Sequence, residues 1–346
     1  MTAPSEAPEP AIRSAPDPAR RFVVAAIGYF AALVAVYLLF VSTEMGQRLE
    51  NSALRAATLR EESTRIDSLT YLSQVSVASF VGAMAVIALV GLLRRRPGLG
   101  ALAVAVMAGS VLAAEILKVG LPRPALVDGP IWILRNSFPS GTATVAASVG
   151  IGALLVAPDR LRWLILVAAA AIAAIIGQAT QVTGWHRASD VLGGVILSAL
   201  VGCIGLLVLV GIRHVQPSHQ GRVHPRILAA IWIVAAGAIL LGMVLLGALI
   251  LFPLLRAPEG AESVFLHTAS DLIAVGLSTM TMATFALVIE PYTLGAAAAR
   301  TVPTQPGAPL LEEMASDESP GADPADPAIP DATPADRAGD GEQAPI

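Results

Sequence analysis

Long runs of apolar residues, separated by short polar segments, fill the chain up to about residue 290. A helix that crosses a bilayer needs about 20 consecutive, mainly apolar residues. The chain contains eight such runs, of which the fourth is the shortest: Phe22–Val41, Tyr71–Leu93, Leu99–Leu117, Thr142–Ala157, Leu161–Val182, Val191–Ile212, Ile227–Phe252 and Phe265–Ile289. The pattern predicts an all-α integral membrane protein with eight transmembrane helices.

The composition agrees with a membrane protein and excludes an ordinary soluble domain. Of the 346 residues, 55% are hydrophobic and 14% are charged, and the mean hydropathy is +0.70. Soluble domains carry about 25% charged residues. The single cysteine, Cys203, lies in an apolar run, which excludes an intrachain disulfide and a cysteine-based metal site.

The two ends of the chain have compositions that cannot bury enough apolar surface to fold. Residues 1–21 are mostly Pro, Ala and Ser with three arginines, and residues 292–346 are rich in Pro, Ala, Asp and Gly. A disordered cytoplasmic arm and a disordered acidic cytoplasmic tail are therefore predicted. The polar segment Thr43–Thr70, between the first two spans, is predicted to be amphipathic or extended and to carry no chemistry.

Basic residues predict the orientation in the cell membrane, since short cytoplasmic loops are rich in Lys and Arg. With the amino terminus inside, arginines fall on the cytoplasmic side after every second span. Three segments then share the outer face: Lys118–Gly141, Gln178–Asp190 and Pro253–Val264. Apart from the four arginines of Thr43–Thr70 and Arg256, every outward cation lies in the first two of these segments: Lys118, Arg123, Arg135 and Arg187. This concentration of positive charge predicts an anion site at the outer face.

Residues 184–190 contain the most reactive side chain of the outer segments. His186 and Asp190 are four residues apart, so on a helix they share one face, and the carboxylate can orient the imidazole by binding one ring nitrogen. The other nitrogen is then left free as a nucleophile or base. By itself this spacing more often marks a pair that only caps the following helix.

Two further groups suit an anion. Lys118 is the only lysine of the chain, and prolines on both sides of Arg123 restrict the backbone there. Ser140 and Gly141 precede the fourth span, where backbone N–H groups at a helix N-terminus attract anions. Each group alone is also compatible with a snorkelling cation or an ordinary N-cap. Glu115, one turn before Lys118, is predicted to pair with it.

Taken in order, the motifs Lys-(x)4-Arg-Pro, Pro-Ser-Gly and Gly-x-His-(x)3-Asp resemble those of the type 2 phosphatidic acid phosphatase (PAP2) and vanadium haloperoxidase superfamily. The resemblance covers roughly residues 22–212 and implies a six-helix transmembrane domain. The hydropathy pattern adds a cytoplasmic loop at 213–226 and two further helices within 227–291. The resemblance also implies that His186 attacks phosphorus to form a phosphohistidine and that Asp190 orients it. It further implies no metal, no cofactor, and four phosphate ligands: Lys118, Arg123, Ser140 and Gly141.

The sequence departs from the superfamily pattern in three places. Four residues rather than six separate Lys118 from Arg123, Thr142 replaces the histidine that acts as general acid, and Thr180 replaces an arginine. Losing the acid costs ~10²–10⁴ in rate when the leaving group is an alkoxide, whereas a diphosphate releases a stable phosphate anion. A lipid diphosphate, such as a polyprenyl diphosphate, is therefore favoured over phosphatidic acid. Arg187 and Arg135 are candidates to replace the missing arginine, and His267 is a candidate to replace the missing general acid.

The predicted function is a membrane lipid phosphatase that acts on a lipid phosphate or diphosphate at the outer leaflet. Its predicted partners are that lipid and the bilayer, and no nucleic acid is expected. Two alternatives stay open. One is a catalytically degenerate relative that binds an anionic lipid headgroup without turnover, and the other is a transporter or assembly factor with eight helices.

Overall fold

The structure, a computed structural model, describes residues 17–57, 61–128, 135–217, 225–255 and 261–295. Within these ranges the chain forms ten α-helices: α1 Pro18–Val36, α2 Glu44–Ala57, α3 Glu62–Ser73, α4 Val77–Leu93, α5 Pro97–Gly120, α6 Gly141–Val156, α7 Arg162–Val182, α8 Ala188–Gly211, α9 Pro225–Leu255 and α10 Ala261–Ile289. A π-helical turn, Tyr37–Val41, extends α1, and a short 3₁₀ turn, Asp159–Leu161, precedes α7. Two strands, β1 Val215–Pro217 and β2 Tyr292–Leu294, form an antiparallel ribbon.

Six helical segments in the described ranges are long and apolar enough to cross a membrane: Pro18–Val41, Pro97–Gly120, Asp159–Val182, Ala188–Gly211, Arg226–Ala248 and Phe265–Ile289. The prediction of a continuous helix over Tyr71–Leu93 is wrong, because α3 and α4 meet there at a bend of 50°. Ser76 and Ser79 cap the start of α4 by bonding to each other's backbone N–H groups at 3.1 and 2.9 Å, which starts a new helix. Helix α6, at the position of the predicted fourth span, is apolar but has only 16 residues and is not among these six segments.

Helix α8 lies at the centre of the bundle and packs against α1, α5, α6 and α10. It is apolar on all sides, as expected of a helix surrounded by others. Glycines let its neighbours approach closely, since a Cβ atom at Gly194 would lie 2.7 Å from the carbonyl oxygen of Ser140. A Cβ atom at Gly193 would lie 2.5 Å from the ring of Phe138. The start of α6 therefore rests directly on the backbone of α8. Helix α9, by contrast, is peripheral and packs mainly against α10.

At the end of the bundle where α8 and α10 terminate, arginines connect neighbouring elements by donating hydrogen bonds to backbone carbonyl groups. Nη1 of Arg162 donates to the carbonyl oxygens of Ile289 and Tyr292 at 3.1 and 2.6 Å. Arg96 donates in the same way to Leu294, and Arg94 donates to the last residue of α6. The ribbon of β1 and β2 therefore joins the end of α8 to the end of α10.

The structure corrects two predicted boundaries. The tail that the sequence predicts to be disordered from residue 292 begins with strand β2, where Tyr292 is buried and its ring packs on Phe22 with centroids 5.3 Å apart. Pairing with β1 satisfies the backbone polar groups of this segment. At the other end, helix α1 begins at Pro18 and is capped by Asp17, so it includes the last residues of the predicted arm. Residues 1–16 and 296–346 lie outside the described residues.

Replacing Gly194 by alanine is expected to destabilise the bundle. The added methyl group meets backbone atoms of the first turn of α6, including the Thr144 nitrogen at 3.0 Å, and overpacking of this kind costs about 1–3 kcal/mol. The apparent midpoint of thermal unfolding in detergent should therefore fall. Gly28→Ala in α1 is the control, because a Cβ atom there meets nothing within 4 Å. Equal midpoints for the two variants would contradict the close approach of α6 and α8.

Candidate active site

The turn between α7 and α8 positions His186. Helix α7 ends in a Schellman motif, in which the N–H of Trp185 donates to the carbonyl oxygen of Thr180 at 2.9 Å. Gly184 supplies the left-handed residue of this motif, with φ of +74°, at no steric cost. The N–H of His186 donates to the same Thr180 oxygen at 3.1 Å. His186 therefore lies in a turn before α8 begins, which corrects the expectation that it shares a helix face with Asp190.

The carboxylate of Asp190 is fully buried and joins the His186 turn to the start of α6. Its Oδ2 accepts hydrogen bonds from Oγ of Ser137 at 2.6 Å and from the N–H of Arg187 at 2.9 Å. Nδ1 of His186 lies 3.6 Å from the same oxygen, beyond hydrogen-bond distance but within electrostatic reach. The carbonyl oxygen of Asp190 accepts from the N–H of Ser140 at 2.8 Å. One residue thus contacts both segments that carry the second and third motifs.

Lys118 lies beside the first residue of α6. Its Nζ pairs with Oε1 of Glu115 at 2.6 Å, which confirms the predicted pairing. A Cβ atom at Gly141 would lie 3.5 Å from that nitrogen. Ser140 caps α6, since its Oγ accepts from the N–H of Ala143 at 3.2 Å. The ammonium group, the capping serine and the first N–H groups of α6 therefore lie side by side at the positive end of a helix.

The loop that precedes α6 is tied to the end of α5. Nδ2 of Asn136 donates to the carbonyl oxygens of Lys118 and Leu121, both at 2.9 Å. Two auxiliary candidates lie near this loop without joining the buried cluster. Arg135 is exposed, and Thr142 lies half-buried in the first turn of α6.

Two arginines lie within the cluster around Asp190. The side chain of Arg187 is buried and donates from Nε to Asn51 at 3.0 Å and from Nη1 to Ser137 at 2.9 Å. Both terminal nitrogens of Arg123 are buried and have no hydrogen-bond partner among the described residues. Burial lowers the pKa of Arg123, as does the like charge of Arg187, while nearby carboxylates raise it. Because buried polar groups are nearly always paired, Arg123 is suited to an anion supplied from outside the protein.

Helix α2, to which the sequence analysis assigns no chemistry, supplies Glu50 and Asn51. Oε1 of Glu50 accepts from the N–H of Ser189 at 2.9 Å, which satisfies a donor of the first turn of α8. Gln47, Glu50, Asn51 and Leu54 are all buried and follow helical spacing. A stripe of amide and acid side chains, where an apolar stripe is usual, is the sequence signal that could have revealed this face.

His267 of α10 and His186 line the same small polar pocket. Its volume of about 10 Å³ is near the limit that holds one water molecule. Nδ1 of His267 lies 3.2 Å from the carbonyl oxygen of Ala53, and its Nε2 lies 3.4 Å from Oδ2 of Asp271. The polar residues that line the pocket are Glu50, Gln181, His186, Arg187, His267 and Ser270.

The carboxyl group of Glu50 has a pKa close to neutral pH. Burial raises its pKa to about 7, and the charge of Asp190 adds to this shift, whereas the bonds to Ser189 and the charge of Arg123 oppose it. A carboxyl group with such a pKa can donate or accept a proton near neutral pH.

Comparison with known proteins finds a family match for one part of the chain. Residues 98–214 match the family model described as the PAP2 superfamily. The matched range contains nearly all of α5 and all of α6, α7 and α8, with the three motifs, whereas Glu50 and His267 lie outside it. No curated protein and no solved structure matches the chain.

The raised pKa of Glu50 predicts a loss of stability as the pH rises. The folded protein holds a proton that the unfolded chain releases from about pH 4.5 upward, so stability falls between pH 4.5 and about 7. Glu50→Gln should remove this loss, which is on the order of 3 kcal/mol. The measurement is the apparent unfolding midpoint in detergent at pH 5 and pH 8, with the exposed Glu44→Gln as control. A Glu50→Gln variant with the pH dependence of the wild type would contradict the assignment.

Proposed function

We propose that this protein hydrolyses a lipid phosphate or diphosphate in the membrane, because residues 98–214 match the model of the PAP2 superfamily, whose members are generally phosphatases. A polyprenyl diphosphate is the favoured substrate. The reaction runs at the outer leaflet through a phosphohistidine formed on His186.

The proposed reaction has two steps. Nε2 of His186 attacks phosphorus while the bond from phosphorus to the leaving-group oxygen breaks, and Asp190 stabilises the positive imidazole. A water molecule then attacks the phosphohistidine, loses a proton and releases inorganic phosphate, which restores the free imidazole. Lys118, Arg123 and the first N–H groups of α6 stabilise the charge on the phosphoryl oxygens. One water is consumed for each phosphate released.

The observation that carries this proposal is the convergence of separate segments around one buried carboxylate. The end of α5, the start of α6 and the turn before α8 meet through the bonds of Asp190 and the contact of Lys118 with Gly141. The two buried terminal nitrogens of Arg123, which have no hydrogen-bond partner among the described residues, supply donors for a phosphate.

The orientation rests on the arginines at the other end of the bundle. Arg94, Arg96 and Arg162 lie there, and basic ends of membrane proteins face the cytoplasm. The site then faces outward and both termini are cytoplasmic. Helices α9 and α10, which lie outside the matched range, are added to the phosphatase core.

Replacing His186 by alanine is expected to lower phosphate release by ~10³-fold or more, because the nucleophile is lost. Inorganic phosphate released from a panel of lipid phosphates and diphosphates measures this effect. His214→Ala, at the other end of α8, is the control and should keep the wild-type rate. A wild-type protein that binds these lipids without releasing phosphate would refute the enzyme and support the headgroup-binding alternative.

The leaving group should decide the substrate preference. Thr142 has no proton to give near neutral pH, so kcat/KM for a polyprenyl diphosphate should exceed that for phosphatidic acid by ~10²-fold. Glu50 is a carboxyl with a suitable pKa in the site, so Glu50→Gln should lower the remaining release from phosphatidic acid and change release from the diphosphate by less than about twofold. Faster hydrolysis of phosphatidic acid than of the diphosphate by the wild type would refute the preference.

A further inference from the structure

An apolar cavity of about 190 Å³ adjoins the polar pocket of the candidate site. It is lined by the end of the first span together with α2, α8, α9 and α10, and it is partly open to the surface. For comparison, an apolar cavity of about 150 Å³ in another protein stays dry and binds benzene, so hydrocarbon fits a space of this size and lining. The large apolar residues around it include Phe40, Leu49, Leu192, Leu246, Ile273 and Leu277.

The cavity and the polar pocket share one wall. Glu50, Ala53, Ala188 and Ser270 line both spaces, and Ala188 follows His186 by two residues. The polar side chains at the cavity, which are Glu50, Ser189 and Ser270, belong to or lie beside this shared wall. A ligand that lies in the cavity and reaches past this wall toward His186 must therefore carry a polar group immediately next to a hydrocarbon chain.

We propose that this cavity binds the part of the lipid chain that lies next to the phosphate headgroup. The inference rests on the proposed function for the position of the headgroup. Helices α2, α9 and α10, which form most of the cavity, lie outside the range that matches the PAP2 superfamily. The additional helices thus form a chain-binding site attached to the phosphatase core.

This site selects its ligand by shape. A lipid chain leaves one apolar medium, the bilayer, for another, so the hydrophobic effect supplies little net affinity. A chain that fits the cavity lets the headgroup reach His186, and a cavity that is already filled keeps the headgroup away. Long-chain and short-chain substrates should therefore respond differently to a change in the cavity.

Filling the cavity tests the proposal. Leu246→Trp on α9 and Leu49→Trp on α2 place a larger side chain in the cavity from two different helices. Each is expected to lower kcat/KM for a long-chain polyprenyl diphosphate by about tenfold or more, which corresponds to ~1.4 kcal/mol. For a short, water-soluble isoprenyl diphosphate, kcat/KM should stay within about twofold of the wild-type value. Leu240→Trp is the matched control, because Leu240 lies on the same helix with 66% of its surface exposed, and it should change neither rate. Equal losses for the two substrates, or no loss for either, would overturn the proposal.

Photolabelling gives a readout that needs no turnover. A lipid phosphonate with a photoreactive group near its headgroup should crosslink to cavity residues of α9 and α10 in the wild type and in His186→Ala. The crosslinks should be lost in Leu246→Trp and kept in Leu240→Trp. Crosslinks confined to the outer surface of α9, or undiminished in Leu246→Trp, would overturn the chain site. Labelling of the cavity without phosphate release from any lipid would instead refute the proposed function and leave the chain site supported.

Discussion

The buried carboxylate of Asp190 is the constraint on which the site depends. A charged group without access to water is costly unless hydrogen bonds compensate it, above all within a membrane protein. The compensating donors are the hydroxyl of Ser137, from the loop before α6, and the N–H of Arg187, from the turn that carries His186. The arrangement that satisfies the carboxylate is therefore the same one that brings the motifs of two distant segments together.

The charges around this carboxylate favour an added anion. Arg123 and Arg187 carry two positive charges, and Asp190 offsets one of them. Glu50 offsets the second only when it is ionised, and its burial opposes ionisation up to about pH 7. Proton uptake by Glu50 therefore leaves a net positive charge in a water-poor environment, where electrostatic attraction is stronger than in solution. The terminal nitrogens of Arg123, which have no hydrogen-bond partner in the described part of the chain, are where that charge is most available to the proposed phosphate.

Sequence patterns identify the segments of the site but not the way in which they meet. Lys118, Ser140 and His186 can be found because their motifs are short, ordered and placed at helix ends. Glu50 is missed because an acid in a polar segment normally marks a solvated helix face. The structure shows that it is buried, with α2 packed against α10 and Glu50 bonded to the start of α8. Hydropathy likewise predicts the long spans but misses the break before α4, because two capping serines rather than a polar run decide it.

The peripheral position of α9 determines how the cavity is reached. This helix packs mainly against α10, while α10 is held to the core by its contacts with α2, α7 and α8 and by the ribbon at its end. Leu246 and Met243 of α9 nonetheless form part of the cavity wall. Because α9 has few contacts beyond α10, its displacement would leave the contacts of the core intact, and the chain of the proposed lipid substrate would enter the cavity beside α9 from the bilayer.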